Sequence, residues 1–120
     1  MSSQKKLIGI GIDSVSWDRL ERFLTQHSFQ FIKRLLRPSE QKVFLQSENP
    51  LPFFARCFAA KEAYFKARGG TGMGETGFRE IEMIEEKNNR FNIAADKEAM
   101  GEFFLIPGGL GAQVMVWGYP

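Results

Sequence analysis

Between Lys6 and Asp13 the chain alternates Ile8, Ile10 and Ile12 on one face with Gly9, Gly11 and Asp13 on the other. A period of two predicts a strand. Glycines weaken a strand interior, so a face left bare by them marks the close approach of another backbone or of a ligand. The period then changes. "SVSWDRLERFLTQHS" sets Trp17, Leu20, Phe23 and Leu24 on one stripe, with Ser14 or Ser16 as N-cap, Asp18 in the first turn, and Arg19 and Arg22 on an adjoining face. "FQFIKRLLRPSEQKVFLQ" predicts a helical turn and a further helix, with Pro38 at its first position and Glu40 as the capping residue at N3. "PLPFFARCFAAKEAYFKARGG" has a proline at its start, good helix formers through its body and Gly69-Gly70 to end it, and it is the clearest helix in the chain.

Beyond a glycine-rich loop, "FREIEMIEE" and "RFNIAA" are expected as two strands joined at Asn88-Asn89. "DKEAMGEFF" suits a short helix. "LIPGGLGAQVMVWG" opens on a Pro-Gly-Gly turn and ends in a strand that alternates Ala112, Val114 and Val116 with Gln113, Met115 and Trp117. The order β, α, α, α, β, β, α, β predicts an α+β fold with helices on one face of a mostly antiparallel sheet. Residues 1–120 are expected to form a single domain.

Composition narrows the function. A 120-residue chain that is 43% apolar, with twelve phenylalanines and 25% charged residues, can bury one core. A net charge of +2 with basic and acidic residues interspersed argues against nucleic-acid binding by electrostatics alone. No apolar run approaches the roughly 20 residues that span a bilayer, and the N-terminal stretch has no A-x-A-like cleavage site, so a cytoplasmic protein that does not enter membranes is expected. One cysteine, Cys57, precludes an internal disulfide, and one histidine, His27, leaves no pair for a structural zinc. Within its helix Cys57 reads as a small buried hydrophobe.

Three features carry chemistry. Glu62 and Lys66, four residues apart with the acid first, suit a surface ion pair, yet Phe54, Phe58, Tyr64 and Phe65 surround them and leave little solvated helix face. Asp13 alone reads as a turn or cap residue. Together, Asp13 and Glu62 supply two carboxylates from different elements, the minimal protein share of a Mg²⁺ site completed by water and phosphate oxygens. Gly72, Gly74 and Gly77 satisfy G-x-G-x-x-G, but the motif follows a helix and precedes a predicted strand, the reverse of the dinucleotide-binding context. Lys66 before Gly69, Gly70, Thr71 and Gly72 still suits a phosphate cradle of backbone N–H groups.

These residues carry a resemblance. "GIGID", Arg19 six residues after its aspartate, "LLRPSE", and "FAAKEAYFKA" followed by "GTG" resemble, in this order and spacing, the holo-acyl-carrier-protein synthase type of phosphopantetheinyl transferase. The resemblance implies that Asp13 and Glu62 hold Mg²⁺ against the pyrophosphate of coenzyme A. Lys66 would neutralise that pyrophosphate, with Lys61, Arg56, Gly70, Thr71 and Gly72 among the coenzyme-binding residues. It implies transfer of the 4′-phosphopantetheine arm to a serine of an apo acyl carrier protein, a step of fatty acid biosynthesis, with release of adenosine 3′,5′-bisphosphate. Glu62, directly or through water, would accept the serine's proton. Arg19, Arg22, Lys33 and Arg34 would dock the acidic carrier, and the subunits would assemble as a homotrimer with the site at their interface.

The chain departs from that pattern in three places. Cys57 stands where the family usually has an arginine, with Arg56 turned about 100° away around the helix. The approach to "GTG" has an additional glycine. "FFLIPGGLGAQVMV" has neither the serine nor the histidine expected before the last strand. These departures leave two further readings open: a transferase-fold protein that binds a carrier or coenzyme A without turnover, and an unrelated α+β interaction domain.

Overall fold

A computed structural model describes residues 4–69 and 74–118. The chain runs β1 (Lys6–Ser16), α1 (Trp17–Gln26), α2 (Phe29–Lys33), α3 (Pro38–Gln46), α4 (Leu51–Ala67), α5 (Gly74–Glu80), β2 (Met83–Glu85), β3 (Arg90–Ile93), β4 (Asp96–Ile106) and β5 (Gly109–Gly118). The strands form an antiparallel sheet in the order β1-β5-β4-β3-β2. Helix α4 lies across its inner face, so the α+β expectation holds.

The bare face of β1 is explained by α4. A methyl group on Gly9 would lie 1.8 Å from the Ala67 carbonyl oxygen, and one on Gly11 would lie 1.8 Å from that of Ala63. Backbone meets backbone there, as the glycines in the strand predict. Register carries the inner layer across the sheet: Gly9 pairs with Val116, Gly11 with Val114 and Asp13 with Ala112, and β5 in turn pairs these with Ala99, Gly101 and Phe103 of β4. All of these valines and alanines, with Phe103, are buried.

Ser16 is the N-cap of α1, its hydroxyl accepting from the Arg19 N–H at 3.1 Å. Pro38 opens α3, and Glu40 accepts from the Arg37 N–H at 2.8 Å. Asn88 and Asn89 both have positive φ, 62° and 60°, as a two-residue type I′ hairpin requires. Cys57 is buried as expected, and burial pushes its thiol well above the ordinary range.

Two expectations are corrected. Residues Asp96–Phe104 form the first part of β4 and not a helix. Ala99, Gly101 and Phe103 point inward while Met100, Glu102 and Phe104 face out, and this alternation against β5 outweighs the helix-forming residues in the segment. Phe78, Arg79 and Glu80 end helix α5, so only Met83–Glu85 of "FREIEMIEE" is a strand.

Candidate functional site

From Phe53 to Ala67 every residue of α4 is buried except Arg56, Phe58, Glu62 and Lys66. Phe58, Glu62 and Lys66 thus form an i, i+4 row along one open stripe, beside β1 and the start of α1. Because Gly9 and Gly11 bring β1 against the last turns of α4, Asp13, further along the same face of the strand, meets this row.

The Lys66 Nζ donates to Asp13 Oδ1 at 3.0 Å and to the Ile12 carbonyl at 3.2 Å. The Lys66 side chain is 52% exposed and that of Asp13 only 13%. The Glu62 carboxyl is raised from its ordinary value, first by burial and then by the charge of Asp13, with Lys66 and Arg19 acting in the opposite sense. Lys66 of the family motif therefore faces Asp13, across the join between helix and strand. Two carboxylates that repel, with an ammonium already drawn onto one of them, form a donor set suited to a hard divalent cation whose remaining positions are filled by water or phosphate. Among the described residues there is no group of three carboxylate, histidine or cysteine ligands.

Arg19 and Arg22 are exposed on α1 and rim a hollow of about 390 Å³ floored by Val15, Leu20, Phe23 and Phe58. Lys33 and Arg34 end α2, which packs on α1 through rings: His27 lies 4.3 Å from Phe23 and 4.6 Å from Phe31, centroid to centroid. The four docking candidates therefore lie on two elements packed together. A larger hollow, about 700 Å³, lies on the opposite face of the sheet over Met100, Gly101, Gln113 and Met115, away from these residues.

Two coenzyme-binding candidates stand elsewhere. Lys61, expected to reach phosphates, is completely buried and ion-paired with buried Glu40 at 2.6 Å. One residue is 100° of helix, enough to turn it from the open stripe into the core. Arg56 is about 15 Å along the axis from Lys66 and pairs with Glu85 of β2. Gly70, Thr71 and Gly72 lie outside the described residues.

Arg68, at the C-cap of α4, is with Arg56 a basic residue that the sequence offers in place of the absent histidine for contact with the coenzyme's 3′-phosphate. With Lys66 and Gly69 it lines a hollow of about 310 Å³ beside Ile8 and Ile10. Its guanidinium lies 3.6 Å from Asp96, which also accepts from the Tyr64 hydroxyl at 3.4 Å. Burial and Asp96 push that hydroxyl above its ordinary value.

Comparison with known proteins gives the family of the chain. A family model described as the 4′-phosphopantetheinyl transferase superfamily matches residues 9–109. The chain is 40% identical over 95 residues to the holo-[acyl-carrier-protein] synthase of Geobacillus kaustophilus, covering 77% of this chain and 72% of that one. Its fold is similar to the crystal structure of the holo-[acyl-carrier-protein] synthase from Neisseria meningitidis, with a TM-score of 0.79 and 27% identity over 92% of this chain and 98% of that one. It is also similar to the Bacillus anthracis synthase in complex with CoA (3′,5′-ADP), with a TM-score of 0.76 and 28% identity over 93% and 97%. The chain belongs to the 4′-phosphopantetheinyl transferase superfamily, as an enzyme of the holo-[acyl-carrier-protein] synthase type.

Proposed function

We propose that this enzyme moves the 4′-phosphopantetheine arm of coenzyme A onto a serine of an apo acyl carrier protein, depends on Mg²⁺, and releases adenosine 3′,5′-bisphosphate. The observation that carries the reading is the meeting of Asp13 from β1 with Glu62 and Lys66 from α4. Asp13 and Glu62 would hold the metal, which when bound supplies positive charge at the pyrophosphate.

The serine oxygen attacks the phosphorus bearing the pantetheine arm. The bond from that phosphorus to the bridging oxygen breaks, and the oxygen leaves with adenosine 3′,5′-bisphosphate. Charge gathers on the nonbridging oxygens, so positioning and electrostatic stabilisation dominate. Lys66, half exposed, turns from Asp13 to the phosphates. The serine proton passes to Glu62, directly or through water. Arg68 lines the same hollow as Lys66, where it would add positive charge beside the pyrophosphate.

Arg19, Arg22, Lys33 and Arg34 steer the acidic carrier towards the Phe58 hollow beside Glu62. A homotrimer is supported by the uncovered outer face of the sheet, where Ile8, Ile10, Ile12, Met100 and Phe104 are each at least 40% exposed. No helix among the described residues is long and apolar enough to cross a membrane, which accords with a cytoplasmic place in lipid synthesis. Intact mass of an apo carrier protein incubated with the enzyme, coenzyme A and Mg²⁺ tests the proposal. A phosphopantetheine adduct is expected, whereas carrier or coenzyme binding with no mass gain would refute transfer and leave a binding protein.

A further inference from the structure

Lys61 precedes Glu62 but takes no part in its site. Its buried Nζ donates to the Leu35 carbonyl at 2.9 Å, to Glu40 Oε1 at 2.6 Å and to the Phe78 carbonyl at 3.2 Å. An ammonium has three donors, so none is left for a ligand. The Glu40 carboxylate also accepts from the backbone N–H groups of Arg37 and Met83, both at 2.8 Å. Next to it, the Gln41 amide donates to the carbonyls of Lys33 at 3.2 Å and Leu36 at 2.9 Å.

Stability alone is a poor reason for such a pair, since apolar residues of similar volume often replace a buried ion pair without loss. Directing backbone is something an apolar pair cannot do. The three side chains grip six backbone groups; three of these, at Leu35, Leu36 and Arg37, belong to the short passage between α2 and α3, and a fourth, at Lys33, ends α2. Lys33 and Arg34 stand at the head of that passage, on a helix whose other side is held to α1 by the Phe23, His27 and Phe31 rings.

We infer that Lys61, Glu40 and Gln41 are positioning residues for carrier docking: they hold the Lys33–Arg34 cations in a fixed place relative to Arg19 and Arg22. The inference rests on the carrier-docking part of the proposed function. An acidic partner meets a preset array of charge, and ordering the passage at the moment of binding is avoided.

The test is steady-state kinetics on the full chain carrying Lys61→Met with Glu40→Leu, using an apo acyl carrier protein and coenzyme A, alongside a melting curve. The carrier KM should rise about tenfold at low ionic strength and depend less steeply on salt, while the coenzyme A KM and kcat stay near those of the parent. A pair that served the core alone would shift the melting temperature and leave the carrier KM where it was. That outcome, or an equal rise in both KM values, overturns the inference. If the double variant does not fold, Gln41→Ala decides: it frees the Lys33 and Leu36 carbonyls and leaves the buried pair intact. It should raise the carrier KM several-fold, and an unchanged value refutes the positioning role. A parent enzyme that adds no mass to the carrier would remove the functional reading itself, an outcome separate from an active parent whose variants dock normally.

Discussion

Adding one methyl group at Gly11 should disable the site from the side opposite its chemistry. In Gly11→Ala the new Cβ would lie 1.8 Å from the Ala63 carbonyl oxygen and 2.6 Å from the Ala67 nitrogen, where ordinary contact begins at 3.4 Å. Both neighbours are helix backbone, so no rotamer change relieves the overlap. Restoring contact distance requires α4 to retreat from β1 by roughly 1.5 Å. Overpacking of this kind costs about 1 to 3 kcal/mol. At about 2.1 cal/mol/K of unfolding entropy per residue, a 120-residue chain should lose roughly 4 to 12 °C in melting temperature. Because Asp13 lies on the displaced strand and Glu62 and Lys66 lie on the helix, transfer should fall about 100-fold, the usual consequence of an ångström of misplacement. Gly108→Ala is the control: φ there is +73° and nothing lies within 4 Å of the added carbon, so it should cost about 1 to 2 kcal/mol of stability and no activity. The assay pairs thermal unfolding with the rate of carrier mass gain. A Gly11→Ala enzyme with parental melting and turnover would refute the claim that β1 and α4 meet through their backbones to form the site.

Glu62→Gln should abolish transfer without unfolding the chain. Since the native carboxyl is raised above its unfolded value, its protonation favours the fold at low pH and that contribution is lost as pH rises through the native pKa, so the amide should melt at or above the parent at neutral pH, with any gain vanishing on acidification. A lower melting temperature at pH 7 would contradict this. Reversing Arg19 and Arg22 to glutamate should slow carrier modification through association and leave coenzyme A binding alone; equal carrier affinity at low salt would move the docking face elsewhere. Cys57, buried with its thiol raised by desolvation and by Glu40, should resist alkylation until denaturant is added, and rapid labelling of the native protein would refute its burial. Dephospho-coenzyme A should compete almost as well as coenzyme A in a calorimetric titration with Mg²⁺, because the segment before β5 lacks serine and histidine and Arg56 pairs with Glu85. A preference above tenfold that Arg68→Ala removes would assign the 3′-phosphate to Arg68.

The legible parts of the fold are those where one local rule acts without competition. Gly9 and Gly11 mark a backbone approach, and α4 supplies it; Ser16 and Glu40 mark helix starts through hydrogen bonds made three residues away, and Pro38 through its fixed φ. In β4, Lys97, Glu98, Ala99 and Met100 are good helix formers by local composition, whereas the period of two is imposed by pairing with β3 on one side and β5 on the other. In the candidate site, Glu62 and Lys66 stand out in the sequence by their i, i+4 spacing among aromatic residues and Asp13 by ending the glycine face of β1, while the roles proposed for them come from the family resemblance. That Lys66 faces Asp13 depends on how strand and helix cross, which spacing along α4 does not encode. Lys61 was misassigned for a related reason: its partners Leu35, Glu40 and Phe78 are 26, 21 and 17 residues away, and only the packed layers show that the core already saturates its ammonium.

The two lysines of α4 show how burial divides labour between like charges. Lys61 and Lys66 are five residues apart, about 140° around the helix, and each binds a carboxylate. Removing Lys61 from Glu40 would strand two charges in the core, at about 3 to 5 kcal/mol, so no incoming phosphate could draw that ammonium away. The Lys66–Asp13 contact is open to water, where such a pair is worth about 0 to 1 kcal/mol, and a pyrophosphate with its greater charge can take the ammonium over at little cost. In the proposed mechanism the exchange would also free the Asp13 carboxylate for a cation accompanying the phosphates. Catalysis on this helix would then use the weaker of its two ion pairs, while the stronger one holds the elements around it.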